Sequence, residues 1–142
     1  MGTLTVSTLL NAPLKTVWES WTDPGHIIHW NFASPDWHCP NAENELSVGG
    51  EFRFTMAARD GSVSFDFQGT YMHVVPGESL VYHIADGRKV IVLFTEEEDG
   101  VRITEVFEPE EVNSMEQQVA GWQSILENFR RYVEGEPMIS KS

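Results

Sequence analysis

The sequence predicts an α+β domain of two layers, an antiparallel sheet covered on one face by a long helix. Two observations carry this. From residue 50 onward, runs rich in β-branched and aromatic residues are divided by the turn dipeptides Asp60-Gly61, Pro76-Gly77, Asp86-Gly87 and Asp99-Gly100. After them, Met115, Val119, Trp122, Leu126, Phe129 and Val133 recur at alternating spacings of four and three, one apolar stripe on a helix that needs an apolar partner.

The first element is a strand. In "LTVSTLL", Leu4 and Val6 share one face while Thr3, Thr5 and Ser7 take the other. The period then changes. Leu14, Val17, Trp18 and Trp21 make a helical face, with Asn11 or Ala12 before it and Pro13 suited to its first turn. Asp23-Pro24 ends that helix and can start a second short one, with Asp23 as N-cap and Pro24 at the first position.

The four turns predict a meander of five strands at about 51–58, 63–75, 79–85, 89–96 and 101–108. Alternation puts Phe52, Phe54 and Met56 on one side, as it does Phe65, Phe67 and Tyr71, and Leu80, Tyr82 and Ile84. The strand 89–96 is apolar on both faces, so its inward face stays open. Gly69 marks a bend or bulge in a long strand, and Gly49-Gly50 a turn or bulge. Asn113 or Ser114 can cap the final helix with Glu116 or Gln117 completing a capping box, and Gly135 with Pro137 ends it. Residues 1–137 are therefore expected to form one domain, with 138–142 a disordered tail.

The chain has 142 residues and a formal net charge of −13, with only nine scattered Lys and Arg. That balance argues against nucleic acid and anionic membranes, whose phosphates need clustered cations. No run reaches the ~18 apolar residues of a membrane span. The start "MGTLTVSTLLNAPLK" lacks the regions of a signal peptide, and one cysteine excludes an internal disulfide, so a cytoplasmic protein is expected.

The stretch "HIIHWNFASPDWHC" (26–39) concentrates His26, His29, His38 and Cys39 among Trp30, Phe32 and Trp37. It invites a metal reading. His26 and His29 can share a helix face, but His38 and Cys39 are neighbours on an extended segment and point opposite ways. No metal and no other cofactor is expected. Cys39 beside Pro40 reads as a small buried residue rather than a nucleophile. Glu105 is the unusual carboxylate, because Val101, Ile103, Glu105 and Phe107 share one face. If that face is inward, Glu105 could serve as acid, base or hydrogen-bond anchor. The alternatives are that the face is outward, or that Glu105 pairs with an Arg or His on a neighbouring strand.

Together with "DPGHIIHWNFASPDWHCPNAENELSVGGEF" (23–52), "FDFQGTY" (65–71), "DGRKV" (86–90) and "GWQSILENFRRYVE" (121–134), this order of elements resembles the START-like (SRPBCC) superfamily. Within it, the sequence is most similar to the family named after the heat-shock-protein-90 ATPase activator. The resemblance implies a helix-grip fold, in which a curved antiparallel sheet wraps a long C-terminal helix and two short helices follow the first strand. It implies a cavity between sheet and helix that takes hydrophobic compounds, and it offers no universal catalytic motif.

With the apolar faces, the resemblance nominates Trp30, Trp37, Phe54, Phe67, Tyr71, Tyr82, Trp122 and Phe129 as lining, and His26, His38 and Glu105 as its polar groups. Three functions follow as expectations. The first is binding of a small hydrophobic or aromatic molecule by a monomer or weak dimer. The second is a cyclase- or hydrolase-type reaction in the same cavity, with Glu105 the one candidate catalytic group. The third is a chaperone-interaction module.

Overall fold

A computed structural model describes residues 2–136. The elements run β1 (Leu4–Leu10), α1 (Leu14–Thr22), α2 (Pro24–Trp30), β2 (Trp37–Asn44), β3 (Glu51–Ala58), β4 (Ser64–Val75), β5 (Ser79–Ile84), β6 (Lys89–Glu97), β7 (Gly100–Phe107) and α3 (Met115–Glu134). The seven strands form one antiparallel sheet in the order β1-β7-β6-β5-β4-β3-β2. The α+β helix-grip arrangement is thus observed, with the sheet curled around α3 and the two short helices after β1. The expected tail from residue 138 lies outside the described residues.

The turn dipeptides place the five meander strands to within a residue or two, because glycine carries the positive φ at Gly61, Gly77, Gly87 and Gly100. At β6 the open question resolves: Val90, Val92 and Phe94 are buried, so theirs is the inward face. On β7 the buried set is Val101, Ile103, Glu105 and Phe107.

Several expectations need correcting. β2 is an additional strand at the sheet edge, paired with β3 across a register break between His38 and Asn41. Pro13 is the N-cap of α1 rather than a first-turn residue. Gly69 is not the bulge of β4, which falls between Tyr71 and His73. Instead Gly69 is a close approach: a Cβ there would meet the His83 carbonyl oxygen at 2.3 Å and the Phe52 ring at 2.8 Å. Met115 does not belong to the core stripe; it is half exposed at the start of α3.

The helix ends follow local chemistry. Asp23 caps α2 by accepting from the Gly25 N–H at 2.9 Å, with Pro24 in the first turn. Ser114 and Gln117 form the reciprocal capping box of α3, and Gly135 closes it in the left-handed conformation. The core gathers the inward residues of the sheet around Leu126 and Phe129 of α3 and Val17 and Ile27 of the short helices.

Candidate functional site

The approach of α3 to the sheet decides where space is left. It packs most closely along β1 and touches both short helices. In its C-terminal half Leu126 and Phe129 are fully buried, and Phe129 meets Trp21 and Trp30 edge-to-face at 4.9 and 4.7 Å. Asn128, also fully buried, donates to the Trp30 carbonyl at 2.8 Å and ties α3 to the end of α2. The N-terminal half instead spans the concave side of β3, β4 and β5 across a cavity of about 420 Å³.

The sheet wall of this cavity is largely aromatic: Phe52, Phe54 and Met56 from β3, Phe65, Phe67 and Tyr71 from β4, Leu80 and Tyr82 from β5. The helix contributes Gln117, Gln118, Gly121, Trp122 and Ile125. Trp122 stacks flat on Phe107, with centroids 4.0 Å apart, and borders the cavity. Trp21, Trp30, Asn31 and Ala33 close one end, while Arg88, Glu110 and Asn113 come from the loops. The exposed Phe65, Asn113 and Gln117 stand at its rim. Gln118 fastens the rim to the helix, donating to the Glu110 and Asn113 carbonyls at 3.0 and 2.9 Å and accepting from the Glu110 N–H at 2.8 Å.

Glu105 is the carboxylic acid of this apolar wall. It is 5% exposed, between Val6 on β1 and Val92 on β6, and it borders the cavity. Burial pushes its pKa up from 4.5 to about 8, with no hydrogen bond or cation opposing the rise. Tyr82, on the same wall, is pushed well above the usual phenol value by burial first and by the Glu105 charge second. The Tyr71 hydroxyl is already committed, donating to Asn44 Oδ1 at 2.7 Å. Such a cavity can hold an apolar molecule and offer it few, well-placed polar contacts.

Comparison with known proteins decides the family. The profile of the family "Activator of Hsp90 ATPase homolog 1-like protein" matches residues 11–134. The chain belongs to that family. An AHSA1-like protein from Aeromonas hydrophila is 42% identical, with a TM-score of 0.89 over 94% of this chain and 92% of its own. A protein from Cytophaga hutchinsonii is 48% identical, with a TM-score of 0.80 over 92% and 91%. A Chromobacterium violaceum protein at 23% identity shares the fold, with a TM-score of 0.83 over 94% and 99%. Comparison with curated proteins finds no significant match.

In this family member the nominated residues fall into two groups. Trp30, Phe54, Phe67, Tyr71, Tyr82, Glu105 and Trp122 line the cavity. His26, Trp37, His38 and Phe129 do not border it. The His26 ring lies between helices, its Nδ1 sharing a 2.6 Å hydrogen bond with the Tyr132 hydroxyl, and His29 stacks on the same tyrosine. Trp37 packs edge-to-face on Phe65 and so buttresses the rim from outside. His38 sits on edge strand β2, and Phe129 is the solid core beside the cavity. Phe52 and Met56, further lining residues, lie on the face that alternation identifies, whereas nothing in the local pattern marks Gln118 or Arg88.

Among the described residues no group of three or more His, Cys, Asp or Glu is placed to hold a metal ion. Cys39 is buried, and burial pushes its thiol up to about 11, which disfavours the nucleophilic thiolate. No described helix is long and apolar enough to cross a membrane.

Proposed function

We propose that this protein binds a small hydrophobic or aromatic molecule between the sheet and α3. The observation that supports this most is the aromatic cavity of about 420 Å³, of a size suited to a small-molecule ligand. A solvent-filled gap of this size between rings would leave a large apolar area wet; a ligand removes that area from water. Native mass spectrometry of freshly purified protein tests the reading. A retained mass that is lost when Trp122→Ala opens the cavity wall supports it. A bare protein that also fails to take up naphthalene-sized compounds counts against it.

A second reading, a reaction inside the same cavity, is favoured by one observation: a buried carboxyl with a raised pKa faces the space where a substrate would sit. Its test is turnover of a bound compound that disappears in Glu105→Gln while binding persists. Contact with a chaperone draws on the family description and on the acidic balance of the chain. Co-purification of a chaperone from lysate would support it, and its repeated absence would leave only the family name. A cytosolic location fits the single, unpaired cysteine.

A further inference from the structure

Two polar groups on the cavity wall, the Glu105 carboxyl and the Tyr82 hydroxyl, make no hydrogen bond among the described residues. Among the described residues, Glu105 receives no hydrogen bond that would lower its pKa, and the Tyr82 ring packs on Phe52 and Tyr71 while burial and nearby charges, not a hydrogen bond, move its hydroxyl. Each is more than nine-tenths buried, and each borders the same space. Tyr71, the nearest comparable group, differs because Asn44 occupies its hydroxyl. Among the described residues no sealed side-chain polar atom lacks a partner, so the oxygens of this pair, which take no hydrogen bond from the protein, reach the cavity space where a ligand's polar atom can meet them.

Resting on the proposed reading of the cavity, we propose that Glu105 and Tyr82 form a pair of hydrogen-bond donors that selects flat apolar ligands carrying a carbonyl oxygen. Glu105 holds its proton up to about pH 8, and Tyr82 holds its proton well beyond the ordinary phenol range, so both present O–H groups at neutral pH. A protonated carboxylic acid and a phenol in an apolar pocket favour an acceptor that brings no proton of its own. The aromatic walls from β3 and β4, with Trp122 opposite, fit a flat ring system.

The other charged and titratable groups bordering the cavity are Tyr71 from β4, Arg88 from the β5–β6 turn and Glu110 from the loop before α3. Arg88 is ion-paired to Asp86 at 2.8 Å. The strands flanking Glu105 face it with Val6 and Val92. No cation therefore stands against the carboxyl to ionise it in advance.

Three naphthalenes of nearly equal shape separate the possibilities: 2-acetylnaphthalene, which carries a carbonyl; 2-isopropylnaphthalene, which carries none; and 2-naphthylmethylammonium, which is a cation. Binding is followed by quenching of tryptophan fluorescence, since Trp21, Trp30 and Trp122 border the cavity. At pH 6.5 the ketone should bind about tenfold more tightly than the hydrocarbon, the size of one or two net hydrogen bonds. That preference should shrink above pH 8 as Glu105 loses its proton. In Glu105→Gln, whose amide donates at every pH, the preference should persist and become independent of pH. Tyr82→Phe should reduce it several-fold at all pH values. Equal binding of ketone and hydrocarbon would overturn the donor pair while leaving the apolar cavity standing. Tightest binding of the ammonium, rising with pH, would overturn it in favour of a carboxylate that holds cations. Failure of all three compounds to bind would remove the cavity reading itself, and this inference with it.

Discussion

The two halves of α3 sit on the same sheet and meet it differently. Around Leu126 and Phe129 the groove is solid, with Trp21, Trp30 and Phe94 closing ring against ring. Around Gln118, Gly121 and Trp122 it is hollow. Both ends are rich in aromatic residues, so hydrophobicity alone does not separate them. The difference is what reaches across. The short helices α1 and α2 fill the solid end, whereas at the hollow end Trp122 and the rim loop held by Gln118 leave space in front of β3, β4 and β5. In this protein α3 uses one half of its length in the solid core and leaves the other half bordering a cavity.

Side-chain truncation should break the comparison most sharply. Phe129→Ala at the solid end should cost about 3–5 kcal/mol, the loss expected for a fully buried ring that leaves a cavity. Phe67→Ala at the hollow end should cost about 1–2 kcal/mol, because its ring is only half buried and already borders empty space. Urea midpoints at constant m-value measure both. Equal losses would mean that the hollow end is packed in solution.

The buried carboxyl of the hollow end should appear as pH dependence. Below about pH 4.5 both folded and unfolded chains keep the Glu105 proton, and the group costs nothing. Between about 4.5 and 8 the unfolded chain releases it while the folded chain does not, so stability falls by about 1.4 kcal/mol per pH unit. Above pH 8 the loss is complete. Glu105→Gln should remove it and stabilise the protein by about 3 kcal/mol at pH 7, with no gain at pH 4. A difference between the two proteins that does not change with pH would show that Glu105 is solvated. The penalty falls at the hollow end, where Glu105 borders the cavity.

Strand β4 offers a smaller contrast within the cavity wall. Gly69→Ala should destabilise by about 1–3 kcal/mol, since the new methyl meets the His83 carbonyl, a backbone atom that cannot rotate away. Thermal unfolding would show it. An unchanged midpoint would mean that β4 and β5 shift apart there at no cost.

Much of this arrangement was legible in the sequence because it is periodic. Turn dipeptides fix the five meander strands, and alternation identifies the inward Phe52, Phe54 and Phe67. β2 was not legible, because its residues "WHCPNAEN" neither alternate nor favour strands. As an edge strand it tolerates Pro40 at the register break. His26 shows another limit: its spacing from His29 says that the two share a helix face, but not that the face meets Tyr132 rather than the cavity. The stripe of α3 likewise treats Phe129 and Trp122 alike, since a period of 3.6 records which side is covered and not how closely. Gln118 and Asn128 escape pattern altogether, because their partners are backbone carbonyls far along the chain or in the preceding loop.

The smallest effect is of opposite sign, and it depends on the hollow end being hollow. Gly121 lies in the interior of α3, where glycine is less favourable than alanine by ~1 kcal/mol. The sheet does not approach closely here: a Cβ at this position meets nothing within 4 Å, and the residue borders the cavity. Gly121→Ala should therefore stabilise the protein by about 0.5–1 kcal/mol, through helix propensity and a less flexible unfolded chain. The same methyl occupies cavity space, so 2-acetylnaphthalene should bind several-fold more weakly. Thermal unfolding and fluorescence titration on one sample read both effects. Stabilisation with unchanged binding would mean that the ligand sits away from the helix, against β3 and β4. Destabilisation would mean that the sheet closes on α3 here as it does at Phe129, and the contrast between the two halves would be lost.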